Sequence, residues 1–258
     1  MGLVEVRRTG AVARVWLDRP ERHNALSPEL GAELTAAFQA LAGDASVRVV
    51  VLGGRGPSFC AGADLGAMKA AAGASFDENL AAAAELARMF AAVAECPHPV
   101  VGRIHGDVLG GGVGLVCACD VAVLAGDARV GLTEVRLGIV PALSSPYVFG
   151  RLGARNALEL MLTGERVNAE IAHRLGVVQH VVFAEDLDAK VDERVELLLH
   201  GGPEAQRRIK ALARRWSVTA VEEYRAALPR LLAEVRAGDE ALEGIAAFLE
   251  KRAPRWRA

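Results

Sequence analysis

Residues 100–124, VVGRIHGDVLGGGVGLVCACDVAVL, decide the fold. Pro97 and Pro99 end whatever helix precedes them, and Val100–Ile104 then reads as a β-strand. A second strand-like segment runs into Gly110-Gly111-Gly112, a turn that opens a helix, and residues 121–124 form the next strand. Strands and helices alternating at this short spacing predict an α/β chain rather than a bundle or a sandwich.

The alternation extends toward the N-terminus. Val12–Leu17 reads as a strand ended by Asp18-Arg19-Pro20. Residues 48–52 read as another, and Gly53-Gly54-Arg55-Gly56-Pro57 as a loop, because glycine and proline disfavour regular pairing. Between them, Ser27-Pro28-Glu29 supplies an N-cap, a first-turn proline and an acidic first turn, and Leu30, Leu34, Phe38 and Leu41 recur at helical spacing. An Ala-rich helix is predicted over residues 79–95. Toward the C-terminus the pattern is mostly helical from Pro141, with one strand at 177–182, and beyond Asp186 it is helical with Arg/Glu pairs. The chain thus divides into a core of residues 1–190 and a helical segment, 191–258, that packs on the core or on a neighbouring subunit.

Composition narrows the function. The 258 residues carry 30 Lys and Arg against 32 Asp and Glu, a net charge of -2, which gives no electrostatic reason to expect nucleic acid or a membrane surface as partner. Hydrophobic residues at 52% with charged residues at 24% describe a core-forming chain. The longest apolar stretch, 108–119, contains four glycines and falls short of the ~18 residues a membrane span requires. Glu5 stands where a signal peptide needs an apolar run and Val6 where a myristoylation motif needs Ser or Thr, so a cytoplasmic location is expected.

The candidate chemistry lies at two turns and one acid. Ala61-Gly62-Ala63-Asp64-Leu65 and Gly110-Gly111-Gly112 both follow predicted strands and open helices. The first amides of a helix have no intrahelical acceptor, so two such turns face to face either present two donors to one oxygen or serve only tight strand–helix packing. Asp64 reads as a helix cap. GGGVGL lacks the GxGxxG spacing and no GxxxxGK[ST] occurs, which argues against a nucleotide fingerprint. Glu134, in an apolar stretch running to Pro141, is either a solvated loop residue or an acid–base group whose pKa a dry pocket raises. Cys60, Cys96, Cys117 and Cys119 form no CxxC pair and read as reduced, packed thiols, with Cys60 the one imaginable nucleophile. The six histidines show neither HxxxH nor HExxH spacing, so no metal is expected.

Taken in order, Asn24-Ala25-Leu26, Phe59-Cys60-Ala61-Gly62-Ala63-Asp64-Leu65, Gly106 with Gly110-Gly111-Gly112, Cys119-Asp120, Glu134 with Leu137-Gly138 and Pro141, and Glu250-Lys251-Arg252-Ala253-Pro254 resemble the enoyl-CoA hydratase/isomerase (crotonase) family over nearly the whole chain. The resemblance implies a spiral of ββα units, a C-terminal helical trimerisation segment, assembly as a homotrimer or a homohexamer, and an acyl-CoA thioester substrate with no separate cofactor. It assigns the amides of Ala63 and Gly111 to the thioester oxygen as it becomes an enolate. It also implies substrate contacts at Ala61, Gly62, Asp64, Leu65, Gly110 and Gly114, while Lys251 and Arg252 read either as a cationic pair reaching CoA phosphates or as a solvated helix end.

Hydratases of this family usually carry two glutamates. In this chain the first falls on Gly114 and the second on Glu134. Hydration by a single carboxylate is chemically open, because one oxygen can take a proton from water while the other delivers one to carbon. A lone base equally suits a Δ3,Δ2-enoyl-CoA isomerase, and a non-catalytic acyl-CoA-binding homologue is the third reading. Glu134-Val135-Arg136-Leu137-Gly138 with Pro141-Ala142 and Ser145-Pro146-Tyr147-Val148 is similar to bacterial methylglutaconyl-CoA hydratases of leucine breakdown, which favours hydration. Arg136 is then either an ordinary exposed surface arginine or, like any other nearby cation, an anchor for a distal substrate carboxylate, and Gly114→Glu is expected to raise hydration of a linear enoyl thioester.

Overall fold

The computed structural model describes residues 2–252, except the side chains of residues 215–225, 227, 228, 231, 235 and 240; Ala253 and Pro254 lie outside the described residues. The elements are β1 (Val4–Thr9), β2 (Val12–Leu17), α1 (Pro28–Ala42), β3 (Val49–Gly54), α2 (Leu65–Gly73), α3 (Phe76–Glu95), β4 (Val100–Ile104), β5 (Asp107–Leu109), α4 (Gly111–Ala118), β6 (Val121–Ala125), β7 (Arg129–Gly131), α5 (Ser145–Thr163), β8 (Arg166–Asn168), α6 (Ala169–Arg174), β9 (His180–Val182), α7 (Leu187–Leu199), α8 (Pro203–Arg236) and α9 (Asp239–Leu249). A 3₁₀ turn, Glu134–Leu137, follows β7.

Two sheets share these strands. The larger runs β1-β2-β3-β4-β6-β9, with an antiparallel β1–β2 hairpin at one edge and parallel pairing across the rest; the smaller runs β5-β7-β8. Single parallel bridges extend the smaller layer, joining Leu26 to Ala63 and Cys60 to Val108. Each turn of the chain therefore lays one strand in the large sheet, one short extended segment in the small layer, and then a helix. The rungs are β2, Leu26 and α1; β3, Cys60–Ala63 and α2–α3; β4, β5 and α4; β6, β7 and the 3₁₀ turn. This is the expected ββα spiral.

Side-chain chemistry explains the elements. Ser27 caps α1 by accepting from the Leu30 amide, and Leu30, Leu34, Phe38 and Leu41 are buried along one stripe, each stabilising by roughly 1.5–3 kcal/mol. Helix α3 starts three residues before the predicted helix because Ser75 and Glu78 form a reciprocal capping box. Strand β3 continues through Gly53 and Gly54, which the sequence places in a loop. A Cβ on Gly53 would lie 2.6 Å from the Trp16 ring of β2, so glycine there admits a neighbour rather than breaking the strand. Strands β1, β7 and β8 are short or polar and go unpredicted.

Buried Asn24 ties the rungs together, accepting from the Arg19 amide at 2.8 Å and donating to the carbonyls of Arg55 and Ser58 at 2.9 and 2.8 Å. The expected boundary at 190/191 falls inside α7, whose Leu187, Val191 and Val195 pack on Val49, Val51, Val101 and Val123 of the large sheet. The covering helix thus belongs to the core. Helix α8 is fastened to the same sheet by Lys210, which donates to the His98 carbonyl at 3.0 Å and pairs with Asp120. Among the described residues, no helix is long and apolar enough to cross a membrane.

Candidate active site

The spiral stacks equivalent positions of successive rungs. Leu26 donates to the Gly62 carbonyl at 2.7 Å and its own carbonyl accepts from the Asp64 amide at 3.0 Å. In a parallel bridge of this kind the intervening residue turns its N–H the other way, so the Ala63 amide points from the first rung toward the third. There the Cys60 amide donates to Asp107 at 3.2 Å and the Leu109 amide to Cys60 at 2.9 Å, holding the two glycine turns side by side.

Close approach is built into those turns. Gly62, at φ +94°, has its Cβ position 3.1 Å from the Leu109 carbonyl oxygen, and a Cβ on Gly112 would lie 2.5 Å from the Cys60 carbonyl oxygen. Gly111 is the first residue of α4, where amides have no intrahelical acceptor. The fourth rung is joined when the Gly110 amide donates to the Gly131 carbonyl at 2.8 Å. Glu134 begins three residues later, and its Oε1 lies 3.1 Å from where a Gly110 Cβ would be. Any side chain at position 110 would intrude between this carboxyl and the Gly110-Gly111 turn.

Glu134 is thus the dry acid of the two sequence alternatives. Its Oε2 is buried with no hydrogen-bond partner among the described residues. Burial pushes its pKa up to about 7, against a smaller opposing effect of its own backbone amide. Cys60 is no nucleophile: complete burial pushes its thiol up to about 12, leaving essentially no thiolate at neutral pH. All four cysteines are free and buried.

Glu134 and residues of both glycine turns line one cavity of about 1780 Å³, larger than the roughly 300–1,000 Å³ of ordinary small-molecule pockets and suited to an extended ligand. Ala61, Gly62, Ala63, Asp64, Leu65, Gly110, Gly111 and Glu134 all lie on its wall. Asp64 caps α2 through the Ala67 amide at 2.9 Å and pairs with Arg19 at 2.8 Å, so its carboxylate is engaged by the protein itself. Arg136 is on the rim, exposed and folded over Gly164.

Two expected contacts fall elsewhere. Gly114 is buried on α4 outside the cavity lining, and its Cβ position meets Ser144 Cβ at 2.5 Å and Phe90 Cε1 at 2.8 Å, so the side chains that line the cavity fill the space a glutamate would need. Lys251 is exposed past the end of α9 and outside the lining; Arg252 takes the wall position, paired with Glu243 at 2.7 Å and Glu250 at 2.6 Å.

Sequence reasoning misses two walls. Asn79, Ala82, Leu86 and Phe90 form an i, i+4-type stripe on α3, a pattern that also marks ordinary core. Leu232, Arg236, Gly244 and Phe248 close the cavity from α8 and α9, and no local signal distinguishes them from surface helix positions.

Known proteins resemble this chain over nearly its full length. The enoyl-CoA hydratase/isomerase family model matches residues 7–258. A crystal structure of an enoyl-CoA hydratase from Mycobacterium avium matches with a TM-score of 0.88 at 37% identity, covering 98% of each chain. An enoyl-CoA hydratase of Alternaria alternata is 33% identical over 245 residues, 95% of this chain and 80% of that protein. The carnitinyl-CoA dehydratase of Proteus mirabilis is 34% identical over 259 residues, 96% of this chain and 95% of that protein.

Proposed function

The chain belongs to the enoyl-CoA hydratase/isomerase family, and on that premise we propose that it adds water to a short, branched 2-enoyl-CoA such as 3-methylglutaconyl-CoA, or removes water in reverse. The observation that carries the reading is the buried Glu134 carboxyl, held against Gly110 and carrying an oxygen with no hydrogen-bond partner among the described residues. An orphaned oxygen in a dry wall is a place for a water molecule or a substrate carbon acid.

In the forward direction, ionised Glu134 takes a proton from water as the water oxygen bonds to C3. The electrons of the double bond move to the thioester oxygen, where the Ala63 and Gly111 amides stabilise the enolate. The neutral carboxyl then returns a proton to C2, giving the 3-hydroxyacyl thioester and restoring the carboxylate. Bond polarisation by two fixed amides accelerates this step because they need no reorganisation as charge develops.

Glu134→Gln is expected to lower hydration kcat by about 10²–10⁴-fold with acyl-CoA binding retained; unchanged turnover would remove the assigned role. The filled space at Gly114 favours one competing reading, an isomerase with a single proton shuttle. Incubating 2-enoyl and 3-enoyl thioesters in deuterated water separates the two. The hydratase reading requires a 3-hydroxyacyl product; deuterated 2-enoyl thioester formed from the 3-enoyl substrate, with no hydroxylated product, would establish the isomerase.

A further inference from the structure

Arg236 is the last residue of α8 and stands on the cavity wall with Leu232, Gly244 and Phe248. It is half-buried, and no carboxylate among the described residues pairs with it. The other basic residues of the lining differ: Arg19 is paired with Asp64, Arg252 with Glu243 and Glu250, and Arg22, His23, Lys69, Arg136 and Arg166 are exposed to solvent. A guanidinium taken out of water without a partner is unfavourable, and burial pulls its pKa downward. The carbonyls at the C-terminus of α8 explain a cation here but neutralise only part of its charge.

We propose that Arg236 is a specificity-determining residue that binds a carboxylate carried by the acyl group of the substrate. The proposal rests on the acyl-thioester reading of the cavity and deepens it, because it moves the anion anchor from rim-exposed Arg136 to a side chain in a drier place. A planar guanidinium offers a carboxylate two parallel donors, and partial removal from water strengthens both. The flanking Leu232 and Phe248 supply apolar surface for the methylene groups between the thioester and that carboxylate. CoA itself is common to every substrate, so selectivity for a dicarboxylic acyl group requires a cation of this kind at the acyl end.

The test compares glutaryl-CoA with pentanoyl-CoA, two saturated thioesters of equal carbon number that require no turnover. Calorimetric dissociation constants are measured on the wild-type protein and on Arg236→Gln and Arg236→Lys. The wild type is expected to prefer glutaryl-CoA, Arg236→Gln to reduce that preference about 10- to 100-fold, and Arg236→Lys to keep part of it. Succinyl-CoA and adipyl-CoA, shorter and longer by one methylene, read the distance to the guanidinium. Equal weakening of both thioesters in Arg236→Gln, with the preference unchanged, would overturn the proposal and place the cation on CoA phosphate. A wild type with no preference, or a variant whose assembly state changes while the preference stays, would overturn it as well. Because binding is the readout, loss of the hydratase reading would leave this result standing, and the converse also holds.

Discussion

At the scale of one residue, Glu134 joins chemistry to stability. A carboxyl whose folded pKa is about 7, against an ordinary 4.5, holds a proton in the native state that the unfolded chain has released. Stability is therefore fully present below pH 4.5 and falls as pH rises through about 7, by about 3 kcal/mol in all. Glu134→Gln stays neutral at every pH. It is expected to unfold at a higher denaturant concentration than the wild type above pH 7, and at the same concentration below pH 4.5, in paired urea titrations. The same ionisation sets the activity: hydration kcat/KM should rise with pH about a midpoint near 7 because the base must be ionised to accept water's proton. A flat profile from pH 5 to 9 would show that another group takes that proton.

At the scale of elements, the site is made by turns that touch. Gly112→Ala puts a methyl group 2.5 Å from the Cys60 carbonyl oxygen, an atom fixed in the bridge to Leu109, so the two turns must part. Overpacking of this kind costs about 1–3 kcal/mol. Displacing one amide donor is expected to lower kcat by about 10²-fold, with a smaller change in KM, measured by steady-state kinetics on folded variant. Gly114→Glu is not the gain of function that the sequence suggests, because Phe90 and Ser144 already occupy its path. It should lower the melting temperature without raising hydration of a linear enoyl thioester. Local signals carried the elements that close on themselves: the Ser27 cap, the Pro97 and Pro99 stop and the glycine turns were legible from neighbouring residues. Gly53 was misread because its reason, the Trp16 ring, lies on another strand, and the walls from α3, α8 and α9 are set by packing over distances no local pattern records. Glu134 illustrates both limits, since its position was legible and its burial was not.

At the scale of the whole molecule, the C-terminal helices pack on their own core and close its cavity, one of the two placements the sequence leaves open for them. Helices α8 and α9 close the cavity of their own chain through Leu232, Arg236 and Phe248, while Ile209 and Leu212 of α8 remain exposed. Leu158 and Leu162 of α5 and Leu197 of α7 are exposed as well, at 46%, 70% and 54%. Large aliphatic side chains left in water on α5, α7 and α8 are candidates for cover by an assembly, and we propose that copies associate as trimers, alone or paired into hexamers. Covering each leucine contributes roughly 1.5–3 kcal/mol, so Leu162→Glu removes that contribution and adds the desolvation of a charge. Light scattering should find the wild type at three or six times the chain mass and the variant shifted toward smaller species at the same concentration. Circular dichroism should be unchanged, because Leu162 supports no intramolecular core. If the wild type scatters as a monomer over the micromolar range, these side chains are ordinary surface, and the cavity is complete within a single chain.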